Sequence, residues 1–142
     1  MSVSFHTLTT TALKNRRALK AFIPTIFNKE STALQSISII FCTDEYLLTI
    51  NQQSLQHDFY TDIITFDLSE TQTSPKIAEL YISVDRVKDN SANLHIPFQT
   101  ELHRVIFHGC LHLCGYKDKS SKHISIMRAK EEKYLNEYFN CS

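Results

Sequence analysis

Both glycines of this 142-residue chain lie in one short string, His108-Gly109-Cys110-Leu111-His112-Leu113-Cys114-Gly115-Tyr116-Lys117-Asp118. In a chain so poor in glycine, that concentration marks backbone with a geometric task that a side chain would obstruct. The residues from Thr100 to Cys114 predict a helix, and Leu102, Ile106, Phe107, Cys110, Leu111 and Leu113 cover most of its circumference. A helix that is apolar nearly all round has to be buried, so the fold must wrap other elements about it. Gly115 follows the last apolar position, where a left-handed residue at C′ ends the helix and turns the chain back beside it.

The rest of the chain supplies the wrapping. Val3 to Thr7 alternates as a short strand, and Ala12 to Ile26 carries Ala12, Leu19, Phe22, Ile23 and Ile26 on one helical face. Pro24 is expected to kink or end that helix. Ser36 to Cys42 has a buried-strand pattern, and Thr43 is placed to cap a helix from Asp44 to about Leu55. Ile63 to Phe66 and Leu80 to Ser83 read as two strands, neighbours in a hairpin, joined by a polar connection through Ser69 to Lys76. Val84 to Asn93 and Ser120 to Phe139 read as helices, the second with Ile124, Met127, Tyr134, Leu135 and Tyr138 along one side.

Length and composition suit one domain, spanning residues 1–142, with 42% hydrophobic and 21% charged residues. A formal net charge of zero argues against coating nucleic acid through the overall field, so any such contact needs local basic patches, and no DNA partner is expected. Lys14, Arg16, Arg17 and Lys20 form one patch, and Lys117, Lys119 and Lys122 crowd the end of the glycine-flanked string. No apolar run is long enough for a membrane span and no signal peptide is evident. With four irregularly spaced cysteines, Cys42, Cys110, Cys114 and Cys141, the chain is expected in the reducing cytoplasm.

The string also carries chemistry. Four residues along a helix turn about 400° and rise about 6 Å, so His108 and His112 project from one stripe within reach of one ion. After the Gly115 turn, Asp118 returns towards them as a third ligand, an arrangement that suits zinc. Glu101 and Arg104 lie on the same stripe, available to support the ligands or to contact a substrate. Cys110, Cys114 and His123 are rival ligands, the cysteines more naturally packing as small apolar residues. The spacing matches the metzincin peptidases, whose third ligand follows the turn glycine. Those enzymes carry a glutamate general base directly after the first histidine, where this chain has Gly109. That glycine is expected to admit a close approach by backbone or substrate.

On these residues the chain resembles the YbeY family of metal-dependent endoribonucleases that mature ribosomal RNA. His108 through Tyr116 fits the family's His-Gly-x-Leu-His-Leu-x-Gly-Tyr pattern without a gap. Tyr60-Thr61-Asp62-Ile63-Ile64-Thr65-Phe66 is similar to its Pro-Thr-Asp-Val-Leu-Ser-Phe stretch, and Ala78 to Ser83 to its Gly-Asp-Ile-x-Ile-Ser strand. The resemblance implies an α+β, zincin-like fold, a small mixed four-stranded sheet packed with about five helices around a buried metal-binding helix. It further implies cleavage of single-stranded RNA, with one Zn²⁺ on His108, His112 and Asp118 activating water or polarising the scissile phosphate. The implied partners are ribosomal RNA and the small ribosomal subunit, whose RNA is matured at its 3′ end, together with a ribosome-assembly GTPase. Lys117, Lys119 and Lys122 are candidates to hold the substrate backbone.

Two positions depart from the family pattern. Asp118 stands where the family has histidine, and Leu55 where it has arginine after Asn51-Gln52-Gln53-Ser54. His57 and Arg104 are the candidates to supply the missing positive or proton-donating group. Two other functional classes share the same ligands: a metallopeptidase of metzincin-like geometry, and a non-catalytic ribosome-associated protein with a structural metal.

Overall fold

The apolar runs become four strands and five helices in the computed structural model, which describes residues 2–11, 13–54 and 60–140. Ala12, Leu55, His57 and Cys141 lie outside the described residues. The order is β1 (Ser2–Thr7), α1 (Arg16–Lys29), β2 (Leu34–Cys42), α2 (Asp44–Ser54), β3 (Ile63–Asp67), β4 (Lys76–Ser83), α3 (Val84–Leu94), α4 (Phe98–Leu113) and α5 (Ser121–Asn140). The sheet order is β1-β2-β4-β3. β1, β2 and β4 run parallel, and β3 pairs antiparallel with β4 as the expected hairpin, Ile63 opposite Ile82 and Thr65 opposite Leu80. This is the mixed sheet of an α+β fold.

Strand alternation divides the molecule into two unequal layers. Ile37, Ile39 and Phe41 of β2 and Ala78, Leu80 and Ile82 of β4 point to one face, where they form the main core with α1, α4 and α5. α4 lies in the middle of this layer, against β3 and β4 on one side and α1, α3 and α5 on the others. On the opposite face α2 covers a smaller cluster, Cys42, Leu47 and Ile64. β2 and β4 each run directly into a helix through a hydroxyl cap: Tyr46 N–H donates to Thr43 Oγ1 at 3.1 Å, and Arg86 N–H to Ser83 Oγ at 3.1 Å.

Three details differ from the sequence reading. The helix does not end at Pro24, one of the two outcomes expected there: α1 passes through it and continues to Lys29. Proline inside a helix costs about 3 kcal/mol, but Ile26 and Phe27 beyond it are fully buried, each worth about 1.5–3 kcal/mol. β4 begins at Lys76, inside the stretch read as a polar connection, because the Lys76 ammonium donates to Asp67 Oδ2 at 2.9 Å and so satisfies a lysine on the inward face. Ile124 is 44% exposed rather than part of the α5 core stripe, which starts at Met127. The first turn of α5 overhangs a cavity beside α4.

Glu30, just past α1, ties the layer together. It accepts from Tyr116 Oη at 2.6 Å, from Lys130 Nζ at 3.2 Å and from the Tyr134 hydroxyl. Burial pushes its carboxyl up, but the donations from Tyr116, Tyr134 and Lys130 outweigh this and hold it below its ordinary value of 4.5. A depressed carboxylate stabilises the fold above its unfolded pKa, and that contribution is lost as pH falls through the folded value. Chemical denaturation of wild type and Glu30→Gln is therefore expected to differ most near neutrality. The difference shrinks as pH falls below about 4.5, and a difference constant from pH 7 to pH 3 would contradict the assignment.

Candidate metal centre

α4 delivers both histidines from one face, and a tight turn delivers the third group. Gly115 N–H donates to His112 O at 3.0 Å and Tyr116 N–H to Leu111 O at 3.0 Å, the paired bonds of a Schellman motif. The motif requires a positive φ, and Gly115 has φ +102°. A Cβ there would meet nothing within 4 Å, so a substitution is opposed by backbone conformation alone. Gly115→Ala is expected to cost about 1–2 kcal/mol in equilibrium unfolding, with Asn at the same position costing less. Equal stability of the alanine variant and wild type would contradict this.

The turn carries Asp118 back over the helix, where its Oδ2 lies 3.2 Å from His108 Nε2 and 3.3 Å from His112 Nε2. The three ligand atoms lie within 4.8 Å of one another. The other nitrogen of each imidazole fixes its tautomer. His112 Nδ1 is 2.9 Å from the Tyr116 carbonyl, and His108 Nδ1 is 2.6 Å from Glu131 Oε2. A carbonyl and a carboxylate only accept, so each Nδ1 carries a proton, and in the neutral ring each Nε2 presents a lone pair. Two imidazole lone pairs and a carboxylate oxygen then converge with no donor between them, which is the environment a cation satisfies. The donor set fits a zinc-type ion with room for a further ligand.

Behind the ligands sits a buried ionic cluster. Arg104 grips Glu101 through Nε at 2.9 Å and Nη2 at 2.6 Å, and reaches Glu131 Oε1 through Nη1 at 3.1 Å. Glu101 is fully buried, so it serves this cluster and does not meet a substrate. Burial alone would lower the Arg104 pKa and raise that of Glu131. The hydrogen bonds reverse both directions: those to Glu101 and Glu131 raise Arg104, and those from His108 and Arg104 lower Glu131. Asp62, 3.8 Å from Arg104 Nη2, is pushed above its ordinary value by burial, which the nearby Arg104 charge only partly offsets. Asn90 Nδ2 donates to it at 3.3 Å.

The ligands open onto a cavity of about 550 Å³ whose wall includes Asn51, Asp62, Thr65 and Lys119. Of the three lysines predicted as substrate contacts, Lys119 lines this cavity, while Lys117 and Lys122 are exposed outside its wall. Arg104 lies beside His108 in smaller adjoining cavities. His123 is exposed and outside the ligand cluster, and burial pushes the thiols of Cys110 and Cys114 up, that of Cys114 to about 11, which suits packing over ligation. Gly109 faces the sheet and not the cleft: a Cβ on it would lie 2.8 Å from Ile63 Cδ1 and 3.0 Å from Leu80 Cδ1. What comes close there is sheet side chains, neither backbone nor substrate.

Glu131 is the functional residue the sequence reading missed. Its signal was present, a carboxylate among Met127, Tyr134 and Leu135 on the buried side of α5. A buried acid on an apolar stripe implies a buried partner.

A buried His-x3-His helix closed by a glycine turn and an acidic third ligand defines a candidate metalloprotein with an open cleft. Comparison with known proteins gives the family. The family model described as Endoribonuclease YbeY matches residues 5–139. Endoribonuclease YbeY of Cytophaga hutchinsonii is 48% identical over 124 residues, 87% of this chain and 86% of that protein. The protein of the same name from Flavobacterium johnsoniae is 40% identical over 133 residues, 94% of each chain. The solution structure of TM1509 from Thermotoga maritima matches with a TM-score of 0.65 at 28% identity, covering 96% of this chain and 89% of that one. The chain belongs to the endoribonuclease YbeY family.

Proposed function

We propose that the chain is a metal-dependent endoribonuclease that cleaves single-stranded RNA during ribosomal RNA maturation, at the 3′ end of the small-subunit RNA. His108, His112 and Asp118 would hold one Zn²⁺. The observation that carries this reading is the convergence of two Nε2 lone pairs and the Asp118 carboxylate at the floor of an open cavity. When bound, the ion acidifies a ligated water and polarises a phosphoryl oxygen. Glu131 and the Tyr116 carbonyl hold the two imidazoles in the ligating tautomer. Arg104 acts as a positioning residue by fixing Glu131. Lys119 offers a cation to the RNA backbone on the cavity wall.

Family membership and the names of the relatives support the substrate class. The reading takes residues 1–142 as one catalytic domain, working in the cytoplasm on the small ribosomal subunit. Among the described residues no helix is long and apolar enough to cross a membrane, and Cys42, Cys110 and Cys114 are free thiols. The peptidase alternative lacks a base, since the position after His108 is turned into the sheet. The test is cleavage of labelled single-stranded RNA, duplex RNA and casein by the zinc-loaded protein. Internal cleavage of the single strand with duplex and casein intact is expected, and proteolysis without RNA cleavage would overturn the proposal.

A further inference from the structure

The charge around His108 leaves one requirement of an RNA site unmet. Asp62 and Asp118 line its side of the cleft with Glu101 and Glu131 buried behind, and among the described residues their innermost cation is Arg104. Arg104 is only 16% exposed and its donors are turned to Glu101 and Glu131. Even with a divalent ion bound, the corner keeps an excess of negative charge, which repels a phosphodiester. Beside Lys119, a further cation facing the cleft would offset that charge.

Arg128 is placed to be that cation. It stands on α5 one turn before Glu131, with its side chain 60% exposed and, among the described residues, a single long ion pair, Nη1 to Glu131 Oε1 at 3.6 Å. At that exposure and distance the pair is weak, so the guanidinium is free to engage a ligand. Its side chain lines two cavities, of about 220 and 210 Å³, and each of them also contains His108 and Asp118. Lys119 lines the larger cavity, which shares His108 and Asp118 with the two cavities that Arg128 lines. A strand whose backbone touches both cations therefore passes through cavities that share His108 and Asp118. Ile124, 44% exposed in the same cavity as Arg128, offers an apolar surface to a base.

We propose that Arg128 binds a backbone phosphate of single-stranded RNA on the α5 side of the metal site, an inference that rests on the endoribonuclease reading. Arginine suits the task because its planar fork matches phosphate oxygens.

The test uses the zinc-loaded full chain and a labelled single-stranded oligoribonucleotide. Arg128→Gln is expected to weaken binding about tenfold. It should also flatten the dependence of log affinity on log salt by about 0.7, the loss of one phosphate contact. In cleavage, KM is expected to rise more than kcat falls. Arg128→Lys, which keeps the charge, should restore the salt slope. Wild-type affinity and slope in Arg128→Gln overturn the proposal while leaving the endoribonuclease reading intact. A drop in zinc content or thermal midpoint that accounts for the weaker binding overturns it in favour of a structural role. A folded, zinc-loaded wild type that binds no RNA overturns both.

Discussion

Alanine at His112 is expected to abolish stoichiometric zinc binding and lower RNA cleavage about 10³-fold or more, with the chain still folded. The magnitude follows from what the ion contributes, several kcal/mol of charge stabilisation, at about 1.4 kcal/mol per factor of ten. The fold survives because the His112 side chain is 30% exposed and sits on the open side of α4, so truncation leaves no sealed void. The core beneath it, Leu111, Leu113 and Ile106, is untouched. Circular dichroism and a thermal midpoint within a few degrees of wild type would separate this from a structural metal, whose loss unfolds the domain. Unfolding of His112→Ala would contradict the catalytic account.

Glu131→Ala has the second large effect, and it falls on stability and metal affinity together. Glu131 is 2% exposed, and its carboxylate receives both Arg104 Nη1 and His108 Nδ1. Deleting it leaves a guanidinium that is 16% exposed facing only Glu101 and the more distant Asp62. Breaking a buried pair in this way costs about 3–5 kcal/mol. At about 4 °C per kcal/mol, the thermal midpoint falls roughly 10–20 °C. The freed His108 ring loses its orientation, and loss of such a supporting group typically weakens metal binding about 10–100-fold. Glu131→Gln, which keeps the shape and one acceptor, should lose less on both counts. A Glu131→Ala protein with wild-type midpoint and zinc affinity would show that the cluster neither supports the fold nor aims the ligand.

How much of this was legible in the sequence depends on how local each feature is. The cluster of His108, His112 and Asp118 was legible because two histidines on one helical stripe, a glycine turn and Asp118 fall within a dozen residues, and local geometry fixes their relation. Strands and helices were readable wherever apolar periodicity dominated. They fell short at the end of α1, which runs past Pro24 to Lys29, and at Lys76, where tertiary burial and a single ion pair overrode local preference. The meaning of Gly109 was also hidden: the sequence showed a missing side chain, but only the fold shows that Ile63 and Leu80 occupy its space. Glu131 and Glu30 reach their partners from far along the chain, so no spacing rule pairs them with His108 or Tyr116.

The most direct test of the central claim is a zinc titration of metal-stripped protein with RNA cleavage as the readout. The account predicts no cleavage without metal, recovery that saturates at one zinc per chain, and no recovery by Asp118→Ala at the same concentrations. Metal-stripped protein that cleaves RNA at the rate of the zinc-loaded chain would contradict it.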